Sequence, residues 1–393
     1  MARAVSTCVH CGFCLAACPT YQVMGEEMDS PRGRIVLMKQ ALEGDLTLDD
    51  ARPYVDRCLG CLACETACPS GVRYRELLVP FRARVEDRAR PAHQRRFRLM
   101  LLSVLESPAR FRAAQRAGRL ARLASPLLPA RLRGMLKLLP ASLPAADPLP
   151  ADVPALGQRR ARVALLTGCV QCVLRPSINH ATLRVLAANG VEVIVPRHQG
   201  CCGALALHSG FESRAHALAA HNARIFSEDV DAIVTNAAGC GSAMKEYGYR
   251  APVRDIAEFL DRLGLRTPPA LARPATAAYH DACHLSHGQG IRTAPRTLLQ
   301  QIPNLTVVEI GDDEMCCGSA GLYNLEHFDT AAELGRRTAA AISALRPDLV
   351  VSGNIGCLTQ IETYLSIPVR HTIEVLDWAY SASGTMRQAF RLR

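Results

Sequence analysis

The chain has 393 residues, 49% of them hydrophobic and 21% charged, and a formal net charge of +10. That composition excludes wholesale disorder, collagen and coiled coil, and the length predicts two or three domains. No stretch approaches the roughly 18 uncharged apolar residues of a membrane-spanning helix. A first cysteine at position 8 leaves no room for a secretory leader. The 17 cysteines fall in three groups, eight within 8–68, five within 169–240 and four within 283–357. An odd, clustered set in a chain without a leader predicts metal or redox chemistry in a reducing, cytoplasmic setting.

The N-terminal group repeats one pattern, Cys8-x2-Cys11-x2-Cys14-x3-Cys18-Pro19 and Cys58-x2-Cys61-x2-Cys64-x3-Cys68-Pro69. This is the spacing of a two-cluster bacterial ferredoxin. Three thiolates two residues apart wrap one cube, and the fourth reaches the other. Cys8, Cys11, Cys14 and Cys68 are therefore assigned to one [4Fe–4S] cluster, and Cys18, Cys58, Cys61 and Cys64 to the second. Two zinc sites are the alternative, and His10 reads as a surface residue. The 39 residues between the runs predict helix, with Ser30 as N-cap, Pro31 at N1 and an apolar stripe from Ile35 to Leu42. A further turn over Leu48–Val55 leads into Cys58. Residues 1–90 are expected to be an all-α ferredoxin-type domain.

Residues 91–160 read as a basic helical linker or docking segment broken by prolines. Fifteen basic residues stand against three acidic ones over 82–137. One reading is a solvated basic face. The other is a docking surface for an acidic partner, or a peripheral contact with the anionic cytoplasmic face of the inner membrane. Nucleic acid is not expected, because aromatic residues are sparse and no binding motif accompanies the charge.

The remainder is a duplication. Cys169 matches Cys283, Cys201-Cys202-Gly203 matches Cys316-Cys317-Gly318, and Cys240 matches Cys357. Pro252-Val253-Arg254 matches Pro368-Val369-Arg370. Offsets of 114 to 117 at each landmark identify two copies of one unit, 161–267 and 274–393. Short β-branched runs alternate with helix-length segments, which predicts α/β domains with parallel sheets. In each copy the cysteines follow strands, so Cys169, Cys201, Cys202 and Cys240 should meet at one sheet edge. Cys283, Cys316, Cys317 and Cys357 should do the same. Each quartet is expected to hold a further iron–sulfur cluster, and buried free thiols are the alternative.

Specific phrases add a resemblance. Cys8-Val-His-Cys-Gly-Phe-Cys14, Asp29-Ser-Pro-Arg-Gly-Arg-Ile35, Gln199-Gly-Cys-Cys-Gly-Ala204, His280-Asp-Ala-Cys-His-Leu285 and Cys316-Cys-Gly-Ser-Ala-Gly-Leu-Tyr-Asn324 resemble the glycolate oxidase iron–sulfur subunits. These are relatives of heterodisulfide reductase with Cys-Cys-Gly (CCG) domains. The resemblance implies an electron-transfer subunit beside an FAD-binding subunit that oxidises glycolate, or D-lactate, with a quinone as acceptor. The chain has no Gly-x-Gly-x-x-Gly after a predicted strand, so substrate chemistry is expected elsewhere. One departure stands out. The heterodisulfide reductase repeat ends in a C-x-x-C pair, and here Ala243 and Gln360 occupy the partner positions. Four thiolates per repeat suit one ordinary cluster, and Cys172, matched by Ser286, reads as spare. A catalytic disulfide reductase, and the iron–sulfur subunit of another flavin-linked 2-hydroxy-acid or glycerol-3-phosphate dehydrogenase, are the alternatives. His280, Asp281 and His284 read as a polar cluster beside a metal loop.

Overall fold

The computed structural model describes residues 1–122, 133–134, 136, 139–140, 142–226, 229–311 and 315–381. Pro126, Pro129, Arg131 and Lys137 of the basic stretch, and 382–393 of the expected second repeat, lie outside the described residues.

The N-terminal part is helical throughout, as its pattern predicts. Ser30 caps the Pro31–Glu43 helix by accepting from the Gly33 amide at 3.0 Å, and Gly44 closes it in the left-handed conformation. Thr47 and Asp50 form a capping box at the start of Leu48–Asp56. Met38, Val55, Leu77 and Phe81 make the small core that binds these helices to Arg75–Arg88.

Two α/β units follow. Strands β2 (Ala161–Leu165), β3 (Val191–Ile194), β4 (Ala232–Thr235) and β5 (Val253–Asp255) run parallel in the order β3-β2-β4-β5. Strands β6 (Ala275–Tyr279), β7 (Leu305–Glu309), β8 (Leu349–Ser352) and β9 (Val369–His371) repeat that order as β7-β6-β8-β9. The first sheet differs by one edge strand, β1 (Asp152–Val153), which pairs antiparallel with β3. Within the duplicated units every pairing is parallel, as expected; the antiparallel edge lies outside them, in two residues too few for a pattern to read as a strand. The two units share one apolar core. Helices Pro176–Ala188 and Thr372–Ser381 join them, with Arg184 bidentate to Asp377 at 2.6 and 2.8 Å.

The basic stretch divides. Helices Ala92–Leu105 and Pro108–Ala121 present Arg96, Arg110, Arg116 and Arg119 outward. Leu101 and Leu102 instead pack with Cys169, Cys201 and Cys202 of the first unit. Arg90 bonds Asp56 at 2.6 Å, and Arg98 lies between Glu86 and Glu326. The reading of a uniformly solvated face is therefore corrected for the inner arginines. Asp56 and Glu326 sit in distant segments, which a local charge count cannot show.

Candidate metal centres

Cys8, Cys11, Cys14 and Cys68 line one small cavity together with Cys64. Cys18, Cys58, Cys61 and Cys64 line a second. Cys18, the last thiol of the first run, thus stands with the second run, and Cys68 with the first. Burial pushes the Cys61 and Cys64 thiols well up from their ordinary range. A fully buried cation stands beside this second group. Arg34 lies near Cys18 and Cys58, and Asp29 holds it at 2.9 Å. Arg57 grips both Asp29 oxygens at 2.9 Å, and Arg34 also donates to the Tyr54 carbonyl at 2.7 Å. Sequence reasoning did not assign this triad a role. Its only signal was the Asp29-to-Ile35 phrase.

In the first unit the loops after β2, β3 and β4 carry Cys169, Cys201, Cys202 and Cys240 to the C-terminal edge of the sheet. The Cys169 and Cys201 sulfurs are 3.3 Å apart, and Cys202 is in hydrogen-bond contact with both Cys201 and Cys240. Gly203 follows with φ +86°, and a Cβ there would lie 2.9 Å from the Ala215 carbonyl oxygen. Gly318 repeats the geometry in the second unit, with φ +89° and 2.7 Å to the Ala331 oxygen. Glycine follows the paired cysteines because the backbone there is left-handed and closely approached. Cys172 stands apart, bonding the Cys169 carbonyl at 3.4 Å, and burial raises its thiol to about 11.

The second quartet is chained in the same way, Cys283 to Cys316, Cys316 to Cys317, and Cys317 to Cys357. Its surroundings differ. Asn354 Nδ2 donates to Cys357 Sγ at 3.4 Å, and the His280 ring stands beside the same sulfur. A hydrogen bond from Cys317, with the neighbouring His280 ring and the Asn354 amide, draws the Cys357 thiol down to about 5. In the first unit Cys169, Cys201 and Cys202 are all raised: the bond to the preceding thiol lowers Cys201 and Cys202, but the bond to the next thiol (Cys201, Cys202 and Cys240 in turn) and burial outweigh it.

Three parts of the chain meet here. Leu59 and Cys61 share a buried cluster with Cys316, Tyr323, Ala331 and Leu334. Arg75 ties the helical domain to both units, through Glu246 at 3.2 Å and the Gly288 carbonyl at 3.2 Å. A cavity of about 600 Å³ opens between them. Cys58, Cys169, Cys202, Cys240 and Cys283 line it, together with Leu101 and Phe111. His208 and His284 also line it, their ring centroids 4.6 Å apart.

All 17 cysteines are free thiols. Among the described residues no three His, Cys, Asp or Glu side chains converge on a point that could hold a single metal ion. A four-iron cube does not ask for that, since each thiolate binds a different iron and the four stand around the cube. Four thiols to a group is the donor set such a cube needs. Paired ferredoxin-type loops on a helical domain, followed by two α/β units with thiol quartets at their sheet edges, define an iron–sulfur protein.

A 4Fe-4S dicluster domain model matches residues 4–72, and a cysteine-rich domain model matches twice, at 163–245 and 277–362. The glycolate oxidase iron-sulfur subunit of Escherichia coli (strain K12) is 38% identical over 391 residues, covering 95% of this chain and 93% of that one. A Bacillus subtilis (strain 168) protein named as a probable glycolate oxidase iron-sulfur subunit is 34% identical, with 90% and 88% covered. Lactate utilization protein A of Exiguobacterium sp. (strain ATCC BAA-1283 / AT1b) is 28% identical, with 55% of this chain and 96% of that one covered. The chain belongs to the family of glycolate oxidase iron–sulfur subunits, an oxidoreductase family. No described helix is long and apolar enough to cross a membrane.

Proposed function

We propose that this chain is the electron-carrying subunit of a glycolate-oxidising complex, with D-lactate as a second substrate. It would receive electrons from an FAD-binding subunit and deliver them toward a quinone-type acceptor. The eight N-terminal cysteines would hold two [4Fe–4S] clusters in the grouping given above, and each quartet one more. An iron–sulfur cluster takes up and returns one electron at a time, which suits it to follow a two-electron flavin. The chain's own residues supply the thiolates, bury most of those in the two repeats, and place the groups side by side.

The observation that carries this reading is the Cys61–Cys316 neighbourhood, where a ferredoxin thiol and a repeat thiol share one buried cluster. Thiols used only for structure would have no reason to meet across two domains. The 600 Å³ cavity, apolar at Leu101 and Phe111, supports a site for the acceptor ring beside both quartets. Seventeen free thiols support a cytoplasmic setting. The outward arginines support contact with an anionic membrane face.

Iron analysis and co-purification test the reading. Anaerobically prepared protein should carry about 16 iron atoms, at four thiolates per cube, and the untagged complex from its host should contain a flavoprotein. Cys11→Ser and Cys61→Ser should each remove one signal from the electron paramagnetic resonance spectrum of the reduced protein. Zinc in place of iron, or an unchanged spectrum in both variants, would refute it.

A further inference from the structure

The two repeats share a backbone and differ in what surrounds their thiols. Their strand registers match: Val163 stands opposite Ala232, and Ala277 opposite Leu349. The Leu166 amide donates to Val234 O at 3.0 Å, and the His280 amide donates to Val351 O at 2.8 Å. Leu166 and His280 are thus the same place in two copies, three residues before Cys169 and Cys283. By the same offsets Ala237 corresponds to Asn354, three residues before Cys240 and Cys357.

In the second copy both positions carry donors: Asn354 Nδ2 reaches Cys357 Sγ at 3.4 Å, and the His280 ring stands beside the same sulfur. His280 is 1% exposed, and Ser352 Oγ lies 3.4 Å from its Nδ1, which fixes the ring. In the first copy Leu166 and Ala237 have no side-chain N–H to offer. Tyr247, the hydroxyl packed against Gly203, makes no hydrogen bond. Backbone amides serve both copies, and the first also has Ala204 N at 3.5 Å from Cys202 Sγ, so what the second copy adds is in its side chains. Gly203 N approaches Cys201 Sγ at 3.5 Å, and the Gly318 amide serves Cys316 alike.

Reduction adds negative charge to a thiolate-held site, and fixed donors on its sulfurs favour the more negative form. We propose that His280 and Asn354 make the second repeat's site the higher-potential one of the pair, and so the site that draws electrons from the Cys61 side. This rests on the reading above that both quartets hold iron–sulfur clusters. The duplication then yields two sites of unequal rank. The second, which adjoins the ferredoxin-type domain, collects electrons, and the first, under Leu101 and Leu102, holds them less readily.

The test is a redox titration of the full-length, iron-loaded protein followed by electron paramagnetic resonance. Cys201→Ser and Cys316→Ser identify which signal belongs to which repeat. His280→Leu with Asn354→Ala installs the first repeat's residues in the second. Its midpoint should fall by a tenfold change in equilibrium constant or more, about 59 mV for a one-electron couple, with the other signals unmoved. His280→Gln, which keeps an N–H, should shift it less. Ala237→Asn should raise the first site's midpoint and does not depend on the second site surviving mutation. Unmoved midpoints in Ala237→Asn and in the double variant, with iron content intact, would overturn the proposal alone. A parent protein whose first-repeat midpoint lies above the second would also overturn it alone. A parent protein lacking iron in the quartets would overturn the underlying reading with it, and the iron count separates the two failures.

Discussion

Arg34→Gln is the perturbation whose cost follows most directly from the structure. The Arg34 and Asp29 side chains are 1% and 2% exposed and bond at 2.9 Å. Removing the guanidinium leaves the Asp29 carboxylate buried with Arg57 alone. Breaking a buried pair from one side costs about 3 to 5 kcal/mol, because the remaining charge has lost one of its two partners. The loss should be local to the helical domain. Native-state hydrogen exchange of amides in Pro31–Glu43 therefore reads it better than global melting of a multidomain protein. The expected effect is exchange faster by roughly two to three and a half decades, at about 1.4 kcal/mol per decade. Adding Asp29→Asn should recover most of the loss, because neither charge then remains buried and Arg57, more exposed at 27%, can turn to solvent. Exchange changed by less than tenfold in Arg34→Gln, or a double variant no better than the single, would refute the argument. The cation also stands near Cys18 and Cys58, so the midpoint of that ferredoxin site should fall in Arg34→Gln.

Three further outcomes follow from single contacts. Gly203→Ala or Gly318→Ala forces a Cβ to 2.9 or 2.7 Å from a backbone oxygen at positive φ. Each should cost more than about 2 kcal/mol and lower the iron bound at its own repeat, and full iron content with an unchanged melting temperature would count against it. Arg98→Glu places a third carboxylate between Glu86 and Glu326 and should sharply lower thermal stability, whereas Arg116→Glu on the outer face should stay within about 0.5 kcal/mol of the parent. Burial raises Asp255 to about 7 while its side chain accepts from the Ala257 amide at 2.9 Å. The folded state thus holds a proton that the unfolded chain releases near pH 4. The stability this contributes at low pH is lost as pH rises through about 7. Asp255→Asn keeps the acceptor without the charge. Its gain over the parent should grow between pH 5 and pH 8 toward an upper bound of roughly 4 kcal/mol, at 1.36 kcal/mol per pH unit, and a pH-independent gap in melting temperature would refute the assignment.

Local signals carried much of this fold. Ser30-Pro31 marked a helix start that the structure places on those residues, since a cap and a fixed proline φ act within four residues. Cysteines just beyond β-branched runs marked the sheet edge, because parallel strands all end on one side. What stayed hidden depends on pairing across the chain. Nothing near Arg98 announces Glu326, and nothing near Arg34 tells a buried cation from an exposed one. The three-residue strands β5 and β9 were visible only as matched landmarks, because three residues are too few for a period to register.

The duplication tells more when the two copies are compared for their differences. At the start of Ile256–Leu263 the cap is Asp255, which accepts from the Ala257 amide. At the matching helix, Thr372–Ser381, His371 Nδ1 accepts from the Ile373 amide at 3.1 Å, and burial keeps that ring neutral by lowering it to about 4. Two unlike residues meet one backbone demand, because the amide asks only for a nearby acceptor lone pair. At Leu166 and His280 the reverse holds. The same backbone place meets one strand's bonding requirement in both copies, and only the side chain's relation to the thiols changes. A swap that preserves a cap is explained by folding alone. A swap that adds a donor to one buried sulfur group and withholds it from its twin is not, since either residue would complete the strand. That contrast makes His280, rather than any helix cap, the position where the copies were free to diverge in chemistry.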